Sequence, residues 1–350
     1  MAFFSKDGTA QGVAKIRHYE SLLPTAQQLY HDPYAYAMFP GSYIQHLLGP
    51  NVIRWIYRLF GMSGILEMIS VRTRWLDDRI VEARKEQLKK KKKFQLRQNR
   101  EKEVGRNIAH TNGQLIILGA GYDTRGFRLH DLWNDDIDDS TTTSSSTLFH
   151  VIEVDQPEVQ QKKVSYMKWL MTKETNNSSS NKHTTIAHLM ESSKVSFLPV
   201  NFVTDNLQTK LTSHPQFSQD NTTLSIITME GVTQYIPREA TADTLKKIHN
   251  IITVGSTLLI TYVDQACFND ASTLSTKARQ MMKVTSKVGE PWITGFTPTE
   301  FASLLQECGY QVQSDTTLSD YNEEYLEVVG RKLSEEEMIC AERFVVAKVV

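Results

Sequence analysis

The sequence predicts an α/β fold: a mostly parallel sheet of about seven strands with helices on both faces, preceded by a helical segment. Three observations carry that prediction. Short apolar runs at 115–118, 148–154, 195–200, 224–229 and 257–263 recur with gaps wide enough for crossover helices, as strands buried on both faces should. From about Val13 to Asn112, apolar residues instead recur at three- and four-residue spacing, the period of packed helices. The composition is that of a folded chain: 350 residues, 40% hydrophobic and 23% charged. That is enough for one large α/β domain, and it excludes a collagenous or wholly disordered protein.

Taken in order, residues 1–12 hold no apolar run of signal-peptide length, and Ala2 excludes the usual myristoylation signal. The most membrane-like stretch, 52–71, carries Arg54, Arg58 and Glu67. It reads as an amphipathic helix, so no membrane partner is expected. Residues 85–106 are rich in Lys and Arg, including the run from Lys89 to Lys93. A basic helix can meet RNA, but Phe94 is its lone aromatic and the formal charge of the chain is −1. A solvated helix is the plainer reading, and a nucleic-acid partner is not expected. The division follows: a helical piece over 1–112 and a core over 113–350. Within the core, 134–147 and 172–185 are polar, low-complexity stretches expected as surface loops. Near the end, 310–312 and 344–350 read as edge strands, as an antiparallel pair. Cys267, Cys308 and Cys340 are far apart and form no Cys-x-x-Cys pair. They argue against a disulfide framework and a zinc site, and for a reducing, cytoplasmic setting.

Leu118-Gly119-Ala120-Gly121-Tyr122-Asp123-Thr124-Arg125 follows the first strand. Glycines at 119 and 121 permit a tight turn and close approach of a ligand to backbone N–H groups, although such a pair also occurs as a mere turn. The next strand ends Glu153-Val154-Asp155, where an acid can accept both hydroxyls of an adenosine ribose. Asp155 lies 34 residues after Gly121, and the 14 residues of 134–147 account for the excess over the usual spacing of about 20. The dinucleotide fingerprint wants a third Gly or Ala at 124, where this chain has Thr124. That disfavours NAD and suits S-adenosyl-L-methionine, which has an adenosine but no pyrophosphate. Glu230, after the fourth strand, falls at the carboxyl edge of the sheet. Arg72, in Arg72-Thr73-Arg74-Trp75-Leu76-Asp77-Asp78, can fork onto a ligand carboxylate or make an ordinary helix ion pair.

With these residues assembled, the chain resembles the leucine carboxyl methyltransferase-like family of S-adenosyl-L-methionine-dependent methyltransferases. The resemblance runs from about Gly12 to Asp264. It also rests on Gly12-Val13-Ala14-Lys15-Ile16-Arg17, Asp32-Pro33-Tyr34-Ala35, Glu153-Val154-Asp155-Gln156-Pro157 and Glu230-Gly231-Val232-Thr233-Gln234-Tyr235-Ile236. It implies a class I methyltransferase (Rossmann-like) sheet under an amino-terminal helical lid. Cofactor contacts are implied at Arg72, Gly119, Asp155 and Glu230, with Ala120 and Gly121 in the same turn. The family's Asp-Leu pair at the adenine edge meets Asn201-Phe202 here, and Asn still offers an amide donor and acceptor.

The expected activity is methyl transfer to a carboxylate or hydroxyl of a small molecule. A carboxylate is ionised at neutral pH and needs no general base. A hydroxyl would need one, and no histidine stands out: His18, His46 and His110 are isolated. No catalytic residue and no metal ligand is assigned. The alternatives are methylation of a protein carboxyl terminus, a non-catalytic adenosyl-ligand binder and an NAD-dependent oxidoreductase.

Overall fold

The computed structural model describes residues 8–62, 64–101, 113–133, 149–177, 185–192, 194–269 and 271–350. Three helices come first: α1 (Gly8–Leu22), α2 (Ser42–Leu59) and α3 (Ile65–Glu101). The stretch expected as one helix over 52–71 is two. The chain turns at Gly61 and Gly64, whose φ angles are +68° and +84°. A Cβ on Gly64 would lie 1.9 Å from the carbonyl oxygen of Glu337, so this turn requires glycine. Helix α2 is itself kinked at Gly49, just before Pro50. The Lys89–Lys93 run lies on α3, with Lys90 paired to Glu86 at 2.9 Å. The last residues of the basic segment, 102–106, lie outside the described residues.

The core then alternates: β1 (Gly113–Leu118), α4 (Arg125–Arg128), β2 (Phe149–Asp155), α5 (Pro157–Asn177), α6 (Thr185–Glu191), β3 (Val195–Pro199), α7 (Leu207–Thr212), β4 (Leu224–Met229), α8 (Arg238–His249), β5 (Thr257–Val263), α9 (Thr273–Lys287), α10 (Pro298–Glu307), β6 (Tyr310–Thr317) and β7 (Glu342–Val349). Successive side chains of each strand face opposite ways. Leu115 and Ile117 pack in one layer with residues of α1, α3 and α5, whereas Ile116 and Leu118 pack in another with α7, α8 and α10. That double burial is why the strands read as continuous apolar runs.

The strand order is β3-β2-β1-β4-β5-β7-β6, with β7 antiparallel to both neighbours and the pairs among β1 to β5 parallel. This is the seven-stranded class I methyltransferase sheet that the sequence predicts. Three details are corrected. Strand β7 is not an edge strand but lies between β5 and β6. Strand β6 runs on to Thr317, past the expected end at 312, because an edge strand can carry half-exposed polar residues. Helix α5 continues to Asn177, so the first part of the loop expected over 172–185 is helical. The other expected loop, 134–147, and residues 178–184 lie outside the described residues.

Candidate active site

The turn after β1 is built for glycine. Gly119 has φ of +69°, and a Cβ there would stand 2.1 Å from Cγ2 of Val232 in the loop after β4. The N–H groups of Gly119 and Ala120 donate to the carbonyl of Val154 at 2.8 and 3.0 Å. The N–H of Gly121 donates to Oδ2 of Asp155 at 2.5 Å, and that of Gln156 to Oδ1 at 2.6 Å. Asp155 thus clasps the turn to the end of β2. Burial pushes its carboxyl above the usual range, against the pull of these two N–H donors. Thr124 is buried and donates to Asp32 at 2.7 Å, and Arg17 of α1 donates to the same carboxylate at 3.0 Å. The close helix-to-sheet approach falls instead at Gly126, where a Cβ would lie 3.2 to 3.3 Å from Val195, Glu153 and Val151.

Beside the turn lies a buried network of arginines and carboxylates. Arg72, on α3, donates through Nε to Glu230 at 2.6 Å and through Nη1 to Glu342 at 2.7 Å. It therefore makes neither an exposed helix pair nor an i,i+4 bridge; its neighbour Arg74 makes that bridge, with Asp78. Arg125 donates to Asp77, Asp123 and Glu230, each at 2.7 Å. Arg128 holds Asp77 with both terminal nitrogens, at 2.6 and 2.9 Å. Burial pushes Glu230 up, but Arg125 and Arg72 outweigh it and hold the carboxyl below its ordinary value. Asp123 is lowered the same way: burial is opposed by Arg125, Arg17 and Lys163. Asp123 and Glu230 are thus held ionised by arginines.

Arg72, Gly119, Ala120, Gly121, Asp155, Phe202 and Glu230 line one cavity of about 310 Å³. Asn201 is absent from its wall. Its Oδ1 accepts from the N–H groups of Val203 and Thr204 at 2.9 and 3.3 Å, shaping the loop that presents Phe202. Sequence reasoning passed over Arg125, Glu342 and Glu290. The Asp123-x-Arg125 spacing within the glycine motif was a usable signal for the first; the other two sit in no motif. Glu290 holds α1 down by accepting from both N and Oγ1 of Thr9, at 2.7 and 2.5 Å.

The rest of the wall is apolar. Ile65 and Ile69 of α3 share a stripe with Arg72, and Met281 and Val284 of α9 form another that Val288, just past its end, continues. Val13 and Ile16 of α1, with Trp292, complete it. The cavity therefore has a polar part at the carboxyl ends of β1, β2 and β4 and an apolar part among α1, α3 and α9. A volume of this order, with polar groups gathered at one end and apolar side chains at the other, is the form of a small-molecule cleft. Among the described residues, no helix is long and apolar enough to cross a membrane.

Residues 99–249 match the family described as leucine carboxyl methyltransferase, the family the motifs resemble. A Bacillus subtilis protein, YktD, named as a candidate S-adenosyl-L-methionine-dependent methyltransferase, is 26% identical over 212 residues, 60% of this chain and 58% of that protein. The chain thus spans less than two thirds of this curated relative. Among solved structures, a DUF574 family protein from Streptomyces avermitilis aligns over 96% of this chain and 97% of its own, with TM-score 0.54 and 11% identity. An O-methyltransferase family protein from Burkholderia thailandensis aligns over 67% and 50%, with TM-score 0.39 and 10% identity. At 11% identity the likeness to the Streptomyces avermitilis protein is one of fold.

Proposed function

We propose that this chain, whose residues 99–249 match the leucine carboxyl methyltransferase family, is an S-adenosyl-L-methionine-dependent O-methyltransferase acting on a small molecule. The observation that carries the reading is the clasp between Gly121 and Asp155, at 2.5 Å, beside the point where the strand order reverses between β1 and β4. In open α/β sheets, ligands bind there.

The residues fit the cofactor. The cradle at Gly119 is one that a Cβ would fill, so Gly119, Ala120 and Gly121 let the ligand approach the backbone. Asp155 would hold the ribose hydroxyls, since each of its oxygens keeps a lone pair beyond its backbone bond. Phe202 would wall the adenine, with Asn201 acting through the loop. Glu230 and Arg72 would face the amino-acid end, where an ammonium and a carboxylate need opposite partners. The bound cofactor supplies a methyl group on a sulfonium; the protein aligns it with the acceptor and excludes water. The helices of 1–112 would act as a lid over the core of 113–350, and three free cysteines suit a cytoplasmic setting.

The acceptor oxygen belongs to a carboxylate or a hydroxyl. A protein carboxyl terminus is the second reading, favoured by the description of the family. The matched segment ends at residue 249 and includes neither α1 nor α9, which wall the apolar part of the cavity. The family's acceptor is therefore not carried over with the fold. Calorimetric titration with S-adenosylmethionine, S-adenosylhomocysteine and NADH tests the cofactor. Saturable binding of the adenosyl ligands alone is expected, together with its loss by at least about tenfold in Asp155→Ala. Binding of NADH instead, or an unaffected variant, would refute the pocket assignment. Binding without transfer to any acceptor would favour a non-catalytic binder.

A further inference from the structure

The charges around the cavity are unequal. Arg17 and Arg72 face five carboxylates, Asp123, Asp155, Glu230, Glu290 and Glu342, and Arg125 behind the wall pairs with two of them, Asp123 and Glu230, so carboxylates still outnumber arginines. Both arginines of the wall are already committed: Arg17 to Asp32 and the carbonyl of Tyr122, Arg72 to Glu230 and Glu342. No lysine or histidine is part of the described wall. An anionic acceptor would enter a low-dielectric site with an excess of like charge, where opposition is felt most strongly.

A second observation concerns hydrogen bonding. Glu342 is 4% exposed, and its Oε1 has no hydrogen-bond partner among the described residues, while Oε2 is held by Arg72. A buried carboxylate oxygen without a partner calls for a donor. Glu342 meets Arg72, and Ile69 lies one turn further along the same stripe of α3. Glu342, the residue that carries the unmet acceptor, thus lines the same cavity as Ile69.

We infer that the acceptor is an uncharged, largely apolar alcohol or phenol whose O–H donates to Oε1 of Glu342, and that carboxylates are rejected. This rests on the adenosyl-ligand reading above and narrows it: of the two oxygens left open there, the hydroxyl is chosen. Methyl transfer to that hydroxyl would leave S-adenosylhomocysteine and release the O–H proton to Oε1 of Glu342, so Glu342 would both aim the hydroxyl and serve as its base, while the stripes of α3 and α9 hold the apolar body.

The test uses the full chain saturated with S-adenosylhomocysteine and titrated, near neutral pH, with the matched pair 2-naphthol and 2-naphthoate. Naphthol is expected to bind at least about tenfold tighter than naphthoate. In Glu342→Gln, which removes one negative charge, naphthol should weaken several-fold and naphthoate should tighten. Affinity for S-adenosylhomocysteine should fall less than that for naphthol, because the amide oxygen of Gln can still accept from Nη1 of Arg72. Opposite movements of the two probes would not follow from a merely structural loss. Naphthoate binding as tightly as naphthol, or neither binding, overturns the inference. So does a Glu342→Gln variant that loses S-adenosylhomocysteine instead, which would assign Oε1 to the cofactor's ammonium. Failure of the parent protein to bind S-adenosylhomocysteine at all refutes the cofactor reading itself, so the two failures are separable.

Discussion

Arg125 has a side chain only 1% exposed, and its guanidinium reaches Asp77, Asp123 and Glu230, each at 2.7 Å. It joins the third helix, the glycine turn and the loop after β4 at one point. Such a charge is tolerable in the interior because three carboxylates accept from it, which outweighs the nearby Arg128 that shares Asp77 with it. Arg125→Met keeps the bulk and removes the charge. It is expected to destabilise the fold by about 3–5 kcal/mol, seen as a lowered urea midpoint. A midpoint within experimental scatter of the parent would mean that the carboxylates find other partners. Arg125→Lys should recover only part of the loss, because one ammonium cannot span three acids.

Among the elements, the strands were legible and the helix ends less so. Runs at 224–229 and 257–263 coincide with β4 and β5, because strands buried on both faces are written in continuous apolar residues. The break between α2 and α3 was missed, since the two glycines that make it interrupt a run that stays apolar around them. Glu342 was invisible for a topological reason. Strand β7 runs antiparallel beside β5, which brings Glu342, its first residue, opposite Val263 at the carboxyl edge of the sheet. A sequence that places β7 as an edge strand starting at 344 cannot put an acid there. Helix α1 carries its own prediction. His18 is buried against Phe39 and His46. Burial, then His46, lowers its pKa from 6.5 to about 4, and Asp32 only partly opposes this. The unfolded chain therefore binds the proton more readily than the folded one. Stability contributed by neutral His18 is complete above pH 6.5 and is lost as pH falls toward 4. His18→Phe is expected to flatten that part of the stability profile, measured as urea midpoints across the window. An unchanged slope would show that the carboxylates alone set the acid limit.

At the scale of the whole molecule, the cavity is where distant parts of the chain meet. Its wall runs from Gly8 at the start of α1 to Glu342 at the start of β7. Thr9 is bonded to Glu290, 281 residues away. A ligand in this space touches surfaces that exist together only in the folded state, so its binding free energy adds to the stability of the fold. At 100 times the dissociation constant the gain is about 2.7 kcal/mol, which corresponds to a rise in Tm of roughly 4 °C for a chain of this size. S-adenosylhomocysteine is expected to produce that rise, and NADH none. Because Glu290 ties α1 to the loop after α9, hydrogen exchange should slow on α1 as well as on the glycine turn when the ligand binds. In Glu290→Ala the extra protection of α1 and part of the thermal shift should vanish together, while protection at the glycine turn persists. If α1 exchanges at the same rate with and without ligand in the parent protein, the helix is a fixed wall of the cavity, and its contribution to binding is shape alone.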